Sequence, residues 1–413
     1  MNIRLAKRLY QSMFWIIIMS SFIAWIVCLF FDPQGHQKDI FYICMGDFWG
    51  DAANPTGMVS GKDPYHDETT GLWNANYPPL AYMLFFILAN VSPVPEGGYL
   101  HYYYQPIWTL LFIIALFTVL LLLHSICVKK LSAYSGFNSV MISLSLCLSY
   151  PMLHTIERGN ILIVSILMTT IFVFYFNDNC EWKKELALIC LAIAIGLKLS
   201  PAVFGLLLIH KKDWRALFRT AIYSFITIFA PFFFLDGDLS NIVLWISNMK
   251  LWFVHHINYT NIYGTGFVAS FMKYSNILLG TYNLSDNAYL ILTILRYEIT
   301  VILLLGMFRL NEEWKVVLNL TIILLIFPAA SHTYNVLYII PFTVLFLQSF
   351  VREKVSADRV IIFACLIMIY FVYRCSISDF FNFNFSIPAL TIVSIFYSLK
   401  KLAGGKRIFN IQL

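Results

Sequence analysis

A chain of 413 residues in which 60% of side chains are hydrophobic and only 12% charged, with a mean hydropathy of +0.74, falls outside the soluble globular class, whose domains carry roughly 25% charged residues. The net charge of +6 does not mark a nucleic-acid-binding face either, because the lysines and arginines sit in short clusters between apolar runs, as membrane topology signals do. One all-α polytopic membrane domain over residues 1–413 accounts for the whole sequence, and nucleic acid drops out as a partner.

Arg4, Lys7 and Arg8 precede an apolar run from Phe14 to Phe31 with no small-residue cleavage site after it. This reads as an uncleaved first span with its N-terminus in the cytoplasm. Residues 32–105 form the first outer loop. Its opening run, Gly46-Asp47-Phe48-Trp49-Gly50-Asp51, sets two carboxylates at a membrane surface, where a carboxylate is costly unless it faces water, a partner or a substrate. Turn formers, aromatics and charges continue through Gly61-Lys62-Asp63-Pro64-Tyr65 and Tyr77-Pro78-Pro79-Leu80, the composition of a built loop.

Leu80 to Val91 is too short to cross ~30 Å of hydrocarbon, which takes about 20 helical residues. The run from Pro106 to Val128 ends in Lys129-Lys130 and should finish in the cytoplasm, so 80–91 lies on or dips into the outer face. Further spans are expected at 136–152, 160–177, 185–197, 199–210, 216–235, 288–308, 315–330, 334–350, 359–374 and 386–400, twelve in all. This topology puts most Lys and Arg residues inside, Lys400, Lys401, Lys406 and Arg407 at the C-terminus included. Two features break the pattern. The segments flanking Lys198-Leu199-Ser200-Pro201 are short, and short Pro-interrupted helices at membrane depth are tolerated where they line a cavity. Residues 236–287 make a long outer loop with an amphipathic start (Ile242, Trp245, Met249, Trp252, Phe253), then His255-His256 and a Gly264/Gly266 turn, which reads as an interfacial helix followed by a lid.

The outer side thus gathers Asp47, Asp51, Asp63, Arg158, Lys198, His255, His256, His332 and Arg374 from loops far apart in sequence. Glu157-Arg158-Gly159-Asn160 ends one span and Lys198 sits in the turn between two short helices; both suit an anion. A cation at headgroup level can instead snorkel to lipid phosphates, a reading that fits Arg374 and Lys273 better than Lys198, since charges inside apolar segments usually mark a substrate path. His332 is placed to orient a phosphate or a sugar hydroxyl, or to serve as a hydrogen-bonded structural group. Neighbouring His255 and His256 do not converge on a metal, and the cysteines, Cys28, Cys127, Cys147, Cys190 and Cys365 among them, show no metal-ligand spacing and read as packing residues. No metal or other cofactor is expected. An outer acid with embedded cations points to group transfer from a lipid-linked phosphate donor: Asp47, with Asp51 as the alternative, takes the proton of an acceptor hydroxyl, while Arg158 and Lys198 neutralise the departing phosphate.

Gly46-Asp47-Phe48, Gly61-Lys62-Asp63-Pro64-Tyr65, Tyr77-Pro78-Pro79-Leu80, Arg158-Gly159-Asn160, Gly196-Leu197-Lys198-Leu199-Ser200-Pro201 and Lys211-Lys212-Asp213-Trp214-Arg215 resemble, in order, the signature stretches of glycosyltransferase family 87, with the likeness strongest over residues 1–235. That resemblance implies a GT-C fold and a polyprenyl-phosphate-sugar donor. It implies Asp47 as base in the first outer loop and Arg158 and Lys198 toward the donor phosphate; His332 is expected to join them there, and Lys62, Asp63, Tyr65, Tyr77, His255 and His256 are expected to bind substrate. Asn160 stands where many relatives carry Gln. Chain size, span number and the first outer loop also resemble the serotype-converting glucosyltransferases that decorate O-antigen from undecaprenyl-phosphate glucose. The expectation is an inverting transferase moving a hexose such as glucose to a periplasmic glycan, on the outer face of a bacterial inner membrane. Two rival classes stay open here. A lipid-linked oligosaccharide flippase or transporter would show paired broken helices in related halves. An O-antigen polymerase or ligase would centre its chemistry on a large late outer loop, such as 236–287.

Overall fold

The computed structural model describes residues 3–31, 48–66, 75–92, 95, 99–132, 136–263, 271, 285–328, 332–372 and 385–404. Every regular element among them is helical. The helices are α1 (Ile3–Phe31), α2 (Gly50–Val59), α3 (Pro79–Ala89), α4 (Pro106–Leu131), α5 (Gly136–Cys147), α6 (Tyr150–Arg158), α7 (Leu162–Tyr175), α8 (Glu181–Leu197), α9 (Leu206–His210), α10 (Trp214–Phe229), α11 (Asn241–Tyr263), α12 (Asp286–Met307), α13 (Glu313–Ile326), α14 (Ile340–Arg352), α15 (Ala357–Ile369) and α16 (Ser386–Leu402).

Among the described residues, five stretches are long and apolar enough to cross a membrane: Arg4–Val27, Pro106–Leu131, Trp214–Phe234, Asn287–Met307 and Tyr334–Arg352. Helices α5 and α6, bent by 50° at their junction, make a sixth if they count as one broken span. These agree in place with six of the twelve expected spans. The other six fall on shorter elements. Helix α8, at 17 residues, reaches about 26 Å and α7, at 14 residues, about 21 Å at 1.5 Å per residue, both below the hydrocarbon thickness. Helix α4 shows what a lipid-facing surface looks like in this chain: Ile107, Leu110, Ile114, Phe117 and Leu121 are all exposed, an arrangement stable in hydrocarbon and not in water.

The described chain divides into two units. One holds Met1–Tyr42, His124–Leu153 and Asn258–Leu413. Its packing is set where α12 meets α16: a Cβ on Gly306 would lie 2.2 Å from the Ser398 Cβ, so only glycine lets the helices approach this closely. Beside it Asn319, on α13, donates to the Leu303 carbonyl at 3.0 Å and to the Ser398 hydroxyl at 2.8 Å, and accepts from the Ser394 hydroxyl. A buried amide costs free energy unless it is bonded in this way.

The second unit holds Ile43–Leu123 and His154–Ile257. Helix α8 packs between α7, α10 and α3 because Gly196 has no side chain; a Cβ there would stand 2.8 Å from Leu80 Cδ2 and 3.0 Å from Thr227 Cβ. Thr227 donates to the Ala192 carbonyl at 2.8 Å. Near the other end of α8, Glu185 accepts from Arg219 and Tyr223 of α10. A second apolar cluster joins Trp49, Ala52, Ala53, Met58 and Val59 of the α2 region to Tyr82 and Phe85 of α3, Trp108 and Phe112 of α4, Phe232 and Trp245. Full burial of an aromatic of this size contributes about 1.5–3 kcal/mol, so this cluster is what holds α2 and the residues beside it in place.

Candidate functional site

The site is assembled from two chain turns pressed together. The first precedes α2, where Trp49 takes a left-handed conformation (φ 54°) and its amide donates to the Glu157 carbonyl at 2.8 Å. The second follows α6, where Gly159 has φ 66°. A Cβ on Gly159 would meet Ala52 Cβ and Phe112 Cζ at 3.1 Å and Trp49 Cα at 3.2 Å, so both the backbone conformation and the close approach require glycine. Trp49 is seated against Phe112, ring centroids 4.9 Å apart, and Phe112 stacks on Trp108 at 5.0 Å.

This junction brings Arg158 and Asn160 onto Asp51. Arg158 Nη2 donates to Asp51 Oδ1 at 2.5 Å, and Asn160 Nδ2 donates to Asp51 Oδ2 at 2.6 Å. Asn160 is buried, and its Oδ1 accepts from the Leu162 amide at 2.9 Å, which satisfies an N-terminal donor of α7. Both Asp51 oxygens are therefore engaged by donors fixed from a segment more than a hundred residues away. His154 and Glu157, one turn apart on α6, approach to 3.9 Å.

Lys198 completes the group. It follows α8 in an extended conformation, ahead of the 3-10 turn Ser200–Gly205, the helix break expected from Pro201. Its Nζ lies 5.2 Å from the centroid of the Tyr77 ring, within cation–π range. Burial pushes the Lys198 ammonium down to about 8, while the Asp51 carboxylate pulls the other way. Burial likewise pushes the Asp51 carboxyl up, opposed by the Asn160 amide and by the charges of Lys198 and His154.

Of the residues singled out from sequence, Asp51, Arg158, Lys198 and Tyr77 come together in the second unit. Asp47, Arg374 and Lys273 lie outside the described residues. Tyr65 is buried, and its hydroxyl donates to the Tyr77 carbonyl at 3.0 Å, so it supports the Tyr77 segment from beneath. Lys62 has φ 62°, accepts at its carbonyl from the Asp236 amide at 2.9 Å and places Nζ 5.8 Å from the Phe86 ring. Asp63 pairs with exposed His66 at 2.8 Å. His332 belongs to the other unit and stacks on Tyr334 at 5.1 Å. His255 and His256 fall within α11. Asn160, read from sequence only as a change of donor contact, proves to be a ligand of Asp51; its place directly after Arg158-Gly159 was the signal available. Trp49 and Gly159 gave no chemical signal in sequence because each acts through backbone geometry, and Trp245 and Asn248 gave none because their side chains donate to backbone carbonyls far away in the chain.

Compared with the curated proteins, the chain matches none. The model of glycosyltransferase family 87 matches residues 75–328, more than half of the chain and a stretch that includes Tyr77, Arg158, Asn160 and Lys198. The chain belongs to glycosyltransferase family 87.

Proposed function

We propose that the protein is an inverting glycosyltransferase that moves a hexose, glucose being the first candidate, from an undecaprenyl-phosphate-linked donor to a periplasmic glycan such as O-antigen. The single observation that carries this reading is the Asp51 cluster, in which Arg158 and Lys198 gather around one carboxylate at the outer loop. Twelve membrane crossings in a bacterial inner membrane, cytoplasmic termini and a site on the periplasmic face complete the reading, on the strength of the charge distribution between spans.

Donor phosphate binds at Lys198 and Arg158. A guanidinium carries five N–H donors, so Arg158 can hold Asp51 through Nη2 and still take part in anion binding. Lys62, Asp63, Tyr77, His255 and His256 are assigned to the glycan side; Tyr65 acts by supporting Tyr77. The acceptor hydroxyl oxygen attacks the anomeric carbon, the bond from that carbon to the phosphate oxygen breaks, and the lipid phosphate leaves with the electron pair. A phosphate leaving group needs charge neutralisation more than a proton, which the two cations supply without a metal or cofactor.

Asp47 and Asp51 are the two candidates for the base that receives the hydroxyl proton. Asp51 already accepts from Arg158 and Asn160 at both oxygens, so an acceptor hydroxyl would have to compete with those two donors to reach it. This favours Asp51 as the residue that positions Arg158 and Asn160, and leaves proton transfer to Asp47. The test is a transfer assay on the purified full chain in detergent, offering undecaprenyl-phosphate glucose and other lipid-phosphate sugars with O-antigen acceptors. Transfer that vanishes in a folded Asp47→Asn variant supports the reading and identifies the sugar. Transfer that persists in Asp47→Asn moves the base to Asp51, and no transfer from any donor by folded protein overturns the proposal.

A further inference from the structure

Helix α11 starts the segment that sequence alone reads as a lid, yet its first turns are tied into the first outer loop. Trp245 is buried and its Nε1 donates to the Asn76 carbonyl at 3.2 Å. One turn on, buried Asn248 donates from Nδ2 to the Tyr65 carbonyl at 3.1 Å. Tyr65 in turn donates its hydroxyl to the Tyr77 carbonyl at 3.0 Å, and the Tyr77 ring lies 5.2 Å from Lys198 Nζ. Ring contacts tighten the same path: Trp245 against Phe232 at 6.0 Å, Phe232 against Tyr65 at 5.8 Å, and Tyr65 and Tyr77 against Tyr82 at 5.4 and 6.1 Å. The start of α11 is itself anchored, since Asn241 donates to the Asp236 carbonyl at 2.6 Å and the Asp236 amide donates to the Lys62 carbonyl at 2.9 Å.

We infer that α11 is a positioning element for the anion site: through Trp245 and Asn248 it holds residues 65 and 76–77 so that the Tyr77 ring stays against Lys198 and keeps its ammonium charged and directed. A ring face favours the cationic over the neutral amine, and this offsets part of the burial that pushes Lys198 down. Among the described residues, Asp51 of α2 acts on Lys198, and about Asp51 stand Arg158 and His154, the latter 3.9 Å from Glu157. Helices α3 and α7 carry no Asp, Glu, Lys or Arg. On α10 the charged residues are Arg215 and Arg219, and Arg219 pairs with Glu185, 13 positions before Lys198 on the α8 path and so about 20 Å along the axis. Neither Trp245 nor Asn248 touches substrate; both act through Tyr77. That Lys198 meets a donor phosphate rests on the function proposed above, but the placement of its amine does not.

The experiment measures Lys198 directly, by competitive acetylation of the full-length protein in detergent followed by mass spectrometry across a pH series. Losing the ring contact makes more neutral amine available at a given pH. Trp245→Phe combined with Asn248→Ala, and separately Tyr77→Leu, should each move the Lys198 labelling midpoint down from about pH 8 and, at pH well below that midpoint, speed labelling by about two- to tenfold. Tyr77→Phe, which keeps the ring, should hold the wild-type rate. An unchanged midpoint and rate in the folded double variant would overturn the inference. If the double variant does not fold, Trp245→Phe alone, which removes one N–H and keeps an aromatic ring, carries the same two outcomes at smaller amplitude. A shifted midpoint in a protein that transfers no sugar would sink the proposed function and leave the inference standing; an unshifted midpoint in an active transferase would do the reverse.

Discussion

Two charged clusters, one in each unit, are built from the same residue types and do different things. Around Trp314, Arg359 pairs with Glu353 and lies 3.9 Å from Glu312, Lys315 pairs with Glu312, and Tyr397 donates to Asp358. Both cations also sit against the Trp314 ring, at 5.3 and 5.1 Å. Three carboxylates meet two cations, all from α13 to α16 and the residues that flank them. At Asp51 the partners come from farther apart: Arg158 and Lys198 reach a carboxylate more than a hundred positions earlier, while Glu157 approaches His154. The first arrangement ties together neighbouring helices, whereas the second joins turns that only the fold brings together. Ion pairs alone therefore do not mark a site; the distance in sequence between partners is the sharper sign.

The sharpest way to break this comparison is Asp47→Asn. Loss of a general base should cost about 10²–10⁴-fold in transfer rate with no change in melting temperature, and a small loss would return the base role to Asp51. Next comes Lys198→Met, expected to cost about 10²–10³-fold in kcat/KM for the donor, the usual effect of removing a preorganised charge. The pH profile sharpens this further. Lys198 is cationic below about 8 and neutral above it, so donor use should be retained below that pH and fall as pH rises through it. Lys198→Arg, always protonated, should remove that alkaline loss; a limb that stays put would assign it to another group.

Stability variants test the other side of the comparison. Gly159→Ala meets both a positive φ and contacts of 3.1 Å and should destabilise by about 1–3 kcal/mol while also lowering transfer per folded molecule, because it separates Asp51 from Arg158. Gly306→Ala should destabilise by a similar amount through the clash with Ser398, yet leave transfer per folded molecule unchanged; thermal unfolding in detergent with parallel activity measurements separates the two. The smallest effect is expected at Asp63→Ala. Its pair with His66 is exposed and contributes about 0–1 kcal/mol, so a marked rise in acceptor KM would assign Asp63 to glycan binding and no rise would leave it as a surface pair.

Much of the molecule was written locally. Helical class and membrane character follow from apolar content and run length, and the break at Lys198 follows from Pro201, because hydropathy and proline act on a few neighbouring residues. Arg158 and Lys198 stood out as charges at the ends of apolar segments, a signal that also needs no partner. The count of full crossings was less legible: apolar runs at 160–177, 185–197 and 315–330 became helices of 14, 17 and 14 residues, since hydropathy marks burial in protein as readily as burial in lipid.

What the tertiary structure alone decided is who meets whom. Asp51 and Arg158 are 107 positions apart, and their contact depends on a left-handed Trp49, a glycine at 159 and the Trp108–Phe112 stack. The same holds for α11, whose amphipathic start was plain in sequence, but whose Trp245 and Asn248 reach carbonyls 169 and 183 positions earlier. Backbone carbonyls are alike at every residue, so no side-chain pattern announces which one a distant donor will find. Sequence set the chemistry this chain has to offer, and packing chose which carboxylate, cations and ring would share one place.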